Sequence, residues 1–333
     1  MPSNRQSISV VICAYTEERW GDLVAAVDSV KHQTRPPDEI IVVIDHNPRL
    51  LQRAEQELDG LIVVPNQESR GLSGARNSGI AAASGSVIAF IDEDAVAEPD
   101  WLERLGQAYQ DARVLGVGGA VDPMWLGGRP GWFPEEFDWV VGCTYLGFPT
   151  SRSPVRNLIG CNMSMRREVF SAAGGFQSGL GRLGTYPAGC EETELCIRAR
   201  SHSPGRYFLY EPGARVRHHV PARRATWKYF SHRCFAEGIS KARVSQLVGM
   251  GGGTASERRY TTRTLPQGVA RGILATLTRG DPTGLARAGA IMAGLALTTA
   301  GFLKGMISLW LEAYRDRDEA ERERGTSSVP NTR

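Results

Sequence analysis

Short apolar runs alternate with helix-like segments through the first third of the chain. The apolar runs cover residues 8–13, 40–44, 61–64 and 87–91. They are continuous and rich in Val and Ile, which is typical of strands buried on both faces of a parallel sheet. Residues 20–33 and 72–83 lie between them and carry the apolar or small residues of helices that pack on such a sheet. The pattern predicts an α/β, Rossmann-like, mostly parallel sheet flanked by helices, with chemistry beyond the carboxyl ends of the strands.

A further strand is predicted over 114–121, and helices over 191–201 and about 225–247. The stretch from 122 to 156 is loop-rich, with seven aromatic residues among several Gly and Pro. Because loops of this length inside a compact domain are usually functional, we expect it to border a site. An aromatic flap that packs without a ligand is the alternative. The tail from Gly325 has the composition of a disordered segment.

Residues 288–303 are 16 consecutive uncharged positions between Arg287 and Lys304. A transmembrane helix needs about 20 residues, so a full span is marginal. The segment is interpreted as an interfacial or re-entrant helix, with Trp310 and Tyr314 near the headgroups. Packing against the catalytic domain or against a partner chain is the alternative.

The composition narrows the class of protein. The chain has 333 residues, of which 41% are hydrophobic and 23% charged, which is typical of soluble globular proteins and argues against a disordered, collagen-like or polytopic membrane protein. The net charge, 39 − 36 = +3, is too small to indicate nucleic acid as a partner. The six cysteines form no C-x-x-C pair, and the N-terminal apolar stretch is too short for a signal peptide. We therefore expect reduced thiols and a cytoplasmic protein.

Acidic residues follow the predicted strands. Asp92, Glu93 and Asp94 come directly after the apolar run VIAFI, and Asp45 follows an earlier run. Two aspartates at this edge can hold Mg²⁺ or Mn²⁺, which take few carboxylates together with phosphate oxygens and water. The implied ligand is a diphosphate. An N-cap for the helix that begins near Glu98 is the alternative.

A turn rich in glycine and serine, RGLSGARNSG (70–79), opens a predicted helix, and Arg76 follows one turn later. Free N–H groups at a helix start and an arginine suit an anionic or nucleotide ligand. Such turns are common before helices, so on its own this one indicates only an anion.

Taken in order, these motifs resemble glycosyltransferase family 2 and its GT-A fold. The matching segments are ICAYTE, HQTRPPDEIIVVID, RGLSGARNSGIAAASGSVIAFIDEDA, GCNMSMRREVFSAAGGF and CEETELCIR. Together they span roughly residues 7–240. Within the family, the segments IDEDAVAEPDW, FPEEFDW, VRNLIGCNMSMRREVF and EETELCIR look most like the glucosyl-dolichyl-phosphate glucuronosyltransferase-like branch. The resemblance implies a metal-dependent enzyme that takes a sugar from a nucleotide sugar.

Roles for residues near the strand ends follow from this resemblance. Tyr15, Glu17 and Asp45 match positions that contact uracil and ribose. Asp94 matches the direct metal ligand of the D-x-D motif, and Glu93 matches its middle residue, which shapes the turn. The family usually has two consecutive aspartates where this chain has an isoleucine before Asp45. The donor-binding candidates are Ala14, Tyr15, Glu17, Asp45, Arg70, Arg76, Asn77, Asp92, Glu93 and Asp94.

An acidic helix start at 191–194 supplies the candidate base. Glycosyl transfer with inversion needs a carboxylate that removes the proton of the acceptor hydroxyl. The resemblance places a Glu-Asp motif here whose second acid is the base, which corresponds to Glu192, with Glu191 as the alternative. Glu194 is expected to pair with Arg198 on the helix surface. A purely structural helix cap, stabilised by the helix dipole, is the other interpretation.

A histidine completes the predicted metal site. The segment HHVP (218–221) resembles the His-x-Val-Pro element of the family, whose His can complete the metal site. His218 fits the spacing, and His219 is the neighbouring alternative. His218, Asp92 and Asp94 together form the expected site for Mg²⁺ or Mn²⁺.

The segment from Arg198 to Arg243 carries 11 Lys or Arg against two Glu. With its interleaved aromatic residues, it is interpreted as a surface for a lipid-linked phosphate acceptor or an anionic membrane, with a solvated helix face as the alternative. An arginine that pairs with the carboxylate is expected if the transferred sugar is glucuronic acid. The candidates are Arg156, Arg166, Arg167 and Arg182.

The predicted organisation has four parts. Residues 1–121 are the nucleotide-sugar-binding half, 122–247 bind the acceptor and hold the base, 248–324 are a helical extension that is a candidate for membrane association, and 325–333 are a disordered tail. The predicted activity is inverting transfer of glucuronic acid or another hexose from a UDP-sugar to a hydroxyl of a lipid-linked (polyprenyl phosphate) or other glycan acceptor. The enzyme would then work at the inner face of the plasma membrane. A soluble transferase for a small metabolite and an inactive sugar-nucleotide-binding protein are the alternatives.

Overall fold

The computed structural model of the protein describes residues 6–178, 180–181, 189–249 and 257–326. Its strands are β1 (Ile8–Ala14), β2 (Glu39–Ile44), β3 (Ile62–Pro65), β4 (Val87–Asp92), β5 (Ala95–Ala97), β6 (Val114–Trp125), β7 (Ser153–Val155), β8 (Asn162–Arg166) and β9 (Tyr207–Val220). Its main helices are α1 (Trp20–Lys31), α2 (Pro48–Glu57), α3 (Leu72–Ala82), α4 (Trp101–Ala108), α5 (Arg167–Ala173), α6 (Glu191–Ser201), α7 (Trp227–Val248), α8 (Leu265–Arg279) and α9 (Pro282–Thr326). The predicted alternation of strands and helices is confirmed.

All nine strands form one sheet in the order β3-β2-β1-β4-β8-β6-β9-β5, with β7 paired to β9. The strands β1 to β4 run parallel to one another, whereas β8 runs antiparallel to β4 and β6. Neighbouring residues such as Val10 and Val11 belong to separate apolar cores, because side chains alternate between the two faces of a sheet. The carboxyl ends of β1, β2 and β4 therefore meet at one edge.

The hydrophobic pattern did not predict β8 and β9, because both strands carry polar residues inside the sheet. Asn162 in β8 is fully buried, and its amide donates to the carbonyl oxygens of Ala120 (2.9 Å) and Ala214 (2.8 Å) while accepting from the Trp101 indole (2.7 Å). These partners satisfy an amide that would otherwise be costly to bury. In β9, a register shift against β6 inserts residues 212–214 as a bulge.

Three long helices form the C-terminal extension, and glycines set the spacing between α7 and α9. A Cβ added to Gly301 in α9 would lie 2.0 Å from the carbonyl oxygen of Phe235 in α7. One added to Gly238 in α7 would lie 2.1 Å from the carbonyl oxygen of Thr298 in α9. No side chain fits at either point, so the two helix backbones are in direct contact.

The segment 288–303 lies within α9 and packs on one side only. Ala290 and Ile291 are buried, whereas large apolar side chains on the outer faces of α8 and α9 are exposed. These side chains, which we call the outer apolar face, are Leu274, Leu277, Met292, Leu303, Ile307, Trp310 and Leu311. Within the described residues, one helix, over Pro282–Glu312, is long and apolar enough to cross a membrane, although length and composition alone are weak grounds. The uninterrupted helix is longer than the 16 uncharged residues suggested, because α9 continues through charged positions.

The predicted tail over 325–333 is only partly described. Helix α9 includes residues 325 and 326, so the helical extension continues past 324. Residues 327–333 lie outside the described part of the chain.

The glycine contact between α7 and α9 predicts a position-specific effect of alanine. Gly301→Ala forces the two helices apart and should lower the free energy of unfolding by about 1–3 kcal/mol, as overpacking does. Gly289→Ala is the matched control, because nothing lies within 4 Å of an added Cβ there. That change should raise stability by about 0.5–1 kcal/mol through helix propensity. Urea unfolding measures both, and equal effects of the two substitutions would contradict this packing.

Candidate active site

A cavity of about 680 Å³ lies at the carboxyl edge of the parallel strands. Ala14, Asp45 and Asp92 line it at the ends of β1, β2 and β4, and Tyr15 follows β1. The opposite wall comes from the start of α6 and from α7 and α9. The edge predicted to carry the chemistry therefore borders an enclosed site rather than an open surface.

The aromatic stretch between 122 and 156 serves both predicted roles. Phe133 is buried in the core against Phe230 of α7, with ring centroids 5.4 Å apart. Trp139, Tyr145 and Phe148 line the cavity. One part of the stretch is thus a packed flap, and another part forms the site wall.

Three potential metal ligands converge beside the D-x-D segment. The ligand atoms of Asp92, Cys161 and His218 all lie within 4.8 Å of one another. The pairing of β4 with β8 brings Cys161, which directly precedes β8, next to Asp92, and the pairing of β5 with β9 brings His218 to the same place. A carboxylate, an imidazole and a thiol at this separation fit a single divalent cation.

Asp94 lies beside this cluster and is held by three basic side chains. Its Oδ1 atom is 3.1 Å from His218 Nε2, and its Oδ2 atom is 3.1 Å from Arg19 Nη1 and 3.5 Å from Arg224 Nη2. Burial alone would raise the pKa of Asp94, but His218, Arg224 and Arg19 hold it well below its usual range. The carboxylate is therefore fixed and charged, and it does not cap a helix.

Glu93 does more than shape the turn. Its carboxylate is buried and lies 2.6 Å from Arg19 Nη1. Burial and the neighbouring charge of Asp94 raise the pKa of Glu93 to about 7, despite the attraction of Arg19. Arg19, whose guanidinium also lies 5.5 Å from the centre of the Tyr15 ring, is thus shared between two acids at the mouth of the cavity.

Arg76 joins the donor side of the site to α6. Its guanidinium is 2% exposed, with Nη1 2.8 Å from Glu191 Oε1 and Nη2 3.4 Å from Asp92 Oδ1. The same Nη2 donates to the carbonyl oxygen of Gly160 at 3.1 Å. Because Glu191 is buried and paired in this way, it is occupied in holding α6 in place.

Glu192, the next residue, lines the cavity. Burial and the charge of Glu191 raise the pKa of Glu192 well above the usual glutamate range, even though Arg76 acts in the opposite direction. A carboxylate with a raised pKa in a cavity has the proton affinity of a general base. The geometry thus favours Glu192 over Glu191 for that role. The expected pair between Glu194 and Arg198 is present at 2.7 Å.

Some predicted donor residues lie away from the cavity. Among the described residues, Glu17, Arg70 and Asn77 are outside its lining. The amide of Asn77 is used to hold the backbone of Phe176, donating to its carbonyl at 2.9 Å and accepting from its N–H at 2.8 Å. Asn77 therefore has a structural role here, and donor contacts of Glu17 and Arg70 stay predictions.

The structure distinguishes between the two candidate histidines of the metal site and among the candidate arginines for a sugar carboxylate. His219 points away from the acids of the D-x-D segment, and its Nδ1 atom lies 2.8 Å from Asp22 Oδ1. Arg166 and Arg167 are committed to backbone carbonyls, at Val114 and Gly85 respectively, so neither is available to a sugar carboxylate. Arg156 lines the cavity. Arg182 lies outside the described residues.

The basic segment from 198 to 243 forms less of a positively charged surface than its composition suggested. Six of its arginines pair with acids of the same chain: Arg198, Arg206, Arg215, Arg217, Arg224 and Arg233. Of its other basic residues, Lys241 lines the cavity. Ion pairs between residues far apart in the sequence cannot be seen in a count of charges along the chain.

Sequence reasoning missed three groups at the site: Arg19, Cys161 and Arg224. Arg19 and Arg224 approach Asp94 from two short 3-10 helices far apart in sequence, and no motif marked them. Cys161 stands inside the matched segment GCNMSMRREVF, but only the pairing of β8 with β4 brings it next to Asp92.

Comparison with known proteins assigns the chain to a family. Residues 9–174 match the model of Glycosyl transferase family 2. The chain is 38% identical, over 245 residues, to the glucosyl-dolichyl phosphate glucuronosyltransferase of Haloferax volcanii, which covers 72% of this chain and 78% of that protein. The chain therefore belongs to glycosyltransferase family 2 and is a glycosyltransferase. It is also 25% identical over 251 residues to the succinoglycan biosynthesis protein ExoM of Rhizobium meliloti, covering 73% and 77% of the two chains.

Two solved structures share the GT-A fold. The mannosyltransferase PcManGT of Pyrobaculum calidifontis, in complex with GDP-Man and Mn²⁺, aligns over 89% of this chain and 88% of its own with a TM-score of 0.57. GalNAc-T7 with UDP, GalNAc and Mn²⁺ aligns over 78% of this chain and 54% of its own with a TM-score of 0.51. At 17% and 18% identity, these likenesses define the fold.

The buried pair of Arg76 and Glu191 predicts a large loss of stability on truncation. Arg76→Met leaves Glu191 buried without its partner, which should cost about 3–5 kcal/mol of unfolding free energy. Arg104→Met removes the exposed pair with Asp100 and serves as the control, because exposed pairs add little to stability. Urea unfolding compares the variants. If Arg76→Met is as stable as Arg104→Met, the pair does not hold α6.

The raised pKa of Glu192 predicts the acid limb of the pH–rate profile. A base must be deprotonated to work, so kcat/KM should rise with pH through the pKa of Glu192, above the ordinary glutamate value of 4.5. This rise of kcat/KM with pH is measured at a saturating metal concentration. The residual activity of Glu192→Gln should not show the rise. A limb centred at or below 4.5 in the wild-type enzyme would show that Glu192 does not have the environment described.

Proposed function

We propose that this chain transfers a sugar from a UDP-sugar to a hydroxyl of a lipid-linked saccharide, with inversion at the anomeric carbon. One observation carries the proposal: the acids of the D-x-D segment and Glu192 line a single cavity. The lipid-linked acceptor is suggested by the name of the Haloferax volcanii relative.

The donor occupies the strand ends in this proposal. The uridine lies against Ala14, Tyr15 and Asp45, and the diphosphate lies near Asp92 and Arg19. Asp45 accepts hydrogen bonds from Asn66 (2.7 Å) and the backbone N–H of Gly71 (3.0 Å), which fix its carboxylate at this edge. A carboxylate held in this way is suited to the hydroxyls of a ribose.

The metal site of the proposal consists of Asp92, Asp94, His218 and Cys161. A divalent cation bound there neutralises the charge that develops on the leaving diphosphate. Mg²⁺ takes oxygen ligands almost alone, whereas a transition-metal ion also accepts an imidazole, so His218 favours Mn²⁺ over Mg²⁺. Both structural neighbours were solved with Mn²⁺.

Glu192 acts on the acceptor. As the acceptor oxygen attacks the anomeric carbon, its proton passes to the Glu192 carboxylate, the bond between that carbon and the diphosphate oxygen breaks, and UDP leaves. A single displacement needs one base and forms no covalent intermediate on the enzyme, unlike a retaining glycosidase with two close carboxylates. If the sugar is glucuronic acid, Arg156 is the cavity residue placed to pair with its carboxylate.

The outer apolar face supports a membrane-bound acceptor. Leu277 is 78% exposed, and Trp310 is 66% exposed. Monomeric soluble proteins rarely expose so many large apolar side chains on neighbouring helices, and an interfacial helix explains them. We propose that this face lies in the surface of the membrane that holds the acceptor, on the cytoplasmic side.

The donor and the site are tested by UDP release from a panel of UDP-sugars with Mn²⁺ or Mg²⁺. Release should be fastest with one sugar and should fall by at least 100-fold, on the order expected for loss of an acid–base group, in Glu192→Gln and Asp94→Asn. Arg113→Gln, an exposed arginine outside the cavity lining, is the control and should keep most of the activity. Turnover that persists in both acidic-site variants would exclude the assigned roles. Donor binding without turnover would favour an inactive sugar-nucleotide-binding protein.

The membrane proposal is tested separately by flotation with vesicles that contain anionic lipid. Wild-type protein should float with the vesicles, and Leu277→Ser/Trp310→Ser should stay in the dense fraction because it loses buried apolar area at the interface. Lys31→Ser, in α1 and outside the outer apolar face, is the control. Wild-type protein that does not float would favour a soluble transferase for a small metabolite.

A further inference from the structure

The cavity does not end at Glu192 but continues between the C-terminal helices. Beyond the start of α6, its lining includes Arg233, Glu237 and Lys241 on α7 and Arg259 ahead of α8. Arg233 reaches back toward the base, since a Cβ placed on Gly189 would lie 2.9 Å from its Nη2 atom. Gly189 comes three residues before Glu192, so this basic group adjoins the proposed acceptor hydroxyl.

Charge is divided between the two ends of the cavity. At the helical end, three cations, Arg233, Lys241 and Arg259, face one acid, Glu237, which gives 3 − 1 = +2. Over the rest of the lining, six carboxylates face Arg19, Arg76 and Arg156, which gives 3 − 6 = −3. The acidic end requires a cation before it can take a diphosphate, whereas the helical end can take an anion directly.

The basic groups at the helical end are held in place. Arg233 Nη1 is 2.7 Å from Glu237 Oε2, and the Cys190 thiol donates to Glu237 Oε1 at 3.3 Å. The guanidinium also lies 5.8 Å from the centre of the Trp139 ring. Burial alone would raise the pKa of Glu237, but the charges of Arg233 and Lys241 lower it, so these three groups are all charged. A fixed, charged set of this kind is suited to a phosphate.

Apolar side chains continue from these charges to the surface. Val244, Leu265 and Phe302 line the cavity together with these charged groups. The backbone of Phe302 lies beside Gly238 of α7, which comes between Arg233 and Lys241 in the chain. Leu295, two helical turns before Phe302 on α9, lines the cavity as well and is 37% exposed, so this wall of the cavity reaches the surface close to the outer apolar face. An anion with an attached hydrocarbon chain fits this combination of groups better than a free anion does.

We propose that Arg233, Lys241 and Arg259 form a binding site for the phosphate of a prenyl-phosphate-linked acceptor, with the start of its prenyl chain along Phe302 and Leu295 of α9. This site deepens the proposed transfer to a lipid-linked saccharide and rests on it. The phosphate then lies on the far side of Glu192 from the donor diphosphate. The acceptor sugar spans the gap and presents its hydroxyl to the base.

Direct binding of small probes tests the site without depending on turnover. Farnesyl phosphate and farnesol, both titrated calorimetrically into the full-length protein, differ only in the phosphate. The wild-type protein should bind farnesyl phosphate at least about tenfold more tightly than farnesol, as expected for charge-assisted hydrogen bonds. Inorganic phosphate should compete only weakly, which separates a lipid phosphate from a free one.

Variants assign the effect to these residues. Lys241→Gln should weaken farnesyl phosphate binding about tenfold and leave farnesol binding unchanged. Lys228→Gln, an exposed lysine on the same helix, is the matched control and should change neither. Arg259→Gln, at the rim, gives a second variant that disturbs no described ion pair.

The outcomes separate this site from the proposed function. Equal binding of farnesyl phosphate by wild type, Lys241→Gln and Arg259→Gln would overturn the site, and so would equal affinity for farnesyl phosphate and farnesol. A loss of vesicle flotation in Lys241→Gln with unchanged farnesyl phosphate binding would also overturn it, since the cation would then serve a membrane headgroup. UDP release is measured independently, so that assay alone tests the transferase activity.

Discussion

The buried guanidinium of Arg76 holds the two halves of the site in one arrangement. It lies 2.8 Å from Glu191 on α6 and 3.4 Å from Asp92 at the end of β4. A buried arginine has to be paired, and here its partners come from segments separated by about a hundred positions in the chain. The distance from the acids of the D-x-D segment to Glu192, the proposed base, is therefore set by one side chain. Glu192 owes its orientation toward the cavity to the pairing of the residue before it.

The two ends of the cavity favour ligands of opposite charge. Its acidic end suits a cation and the diphosphate bound through it, whereas its basic end, at Arg233 and Lys241, suits an anion directly. Glu192 lies between them, where burial and Glu191 raise its pKa. In the proposed single displacement, the metal and donor would occupy the acidic end, and the acceptor phosphate would occupy the basic end.

The hydrophobic pattern predicted what depends on local sequence. The strands β1 to β4 were found because each is a short, continuous apolar run. The strand β9 was missed because a bulge and several charged residues interrupt any period, and its place in the sheet depends on pairing with β6. The acids at 92 and 94 were found through their position after a strand. Arg19 and Arg224 could not be found, because only the fold brings them to Asp94.

The anomeric configuration of the product tests the central claim most directly. A purified UDP-α-sugar and a prenyl-phosphate-linked acceptor are incubated with the enzyme, and the new linkage is assigned by nuclear magnetic resonance. One displacement at the anomeric carbon, with Glu192 as the only base, predicts a β linkage. An α linkage would require a second displacement or a different mechanism, and it would contradict the assignment of the site.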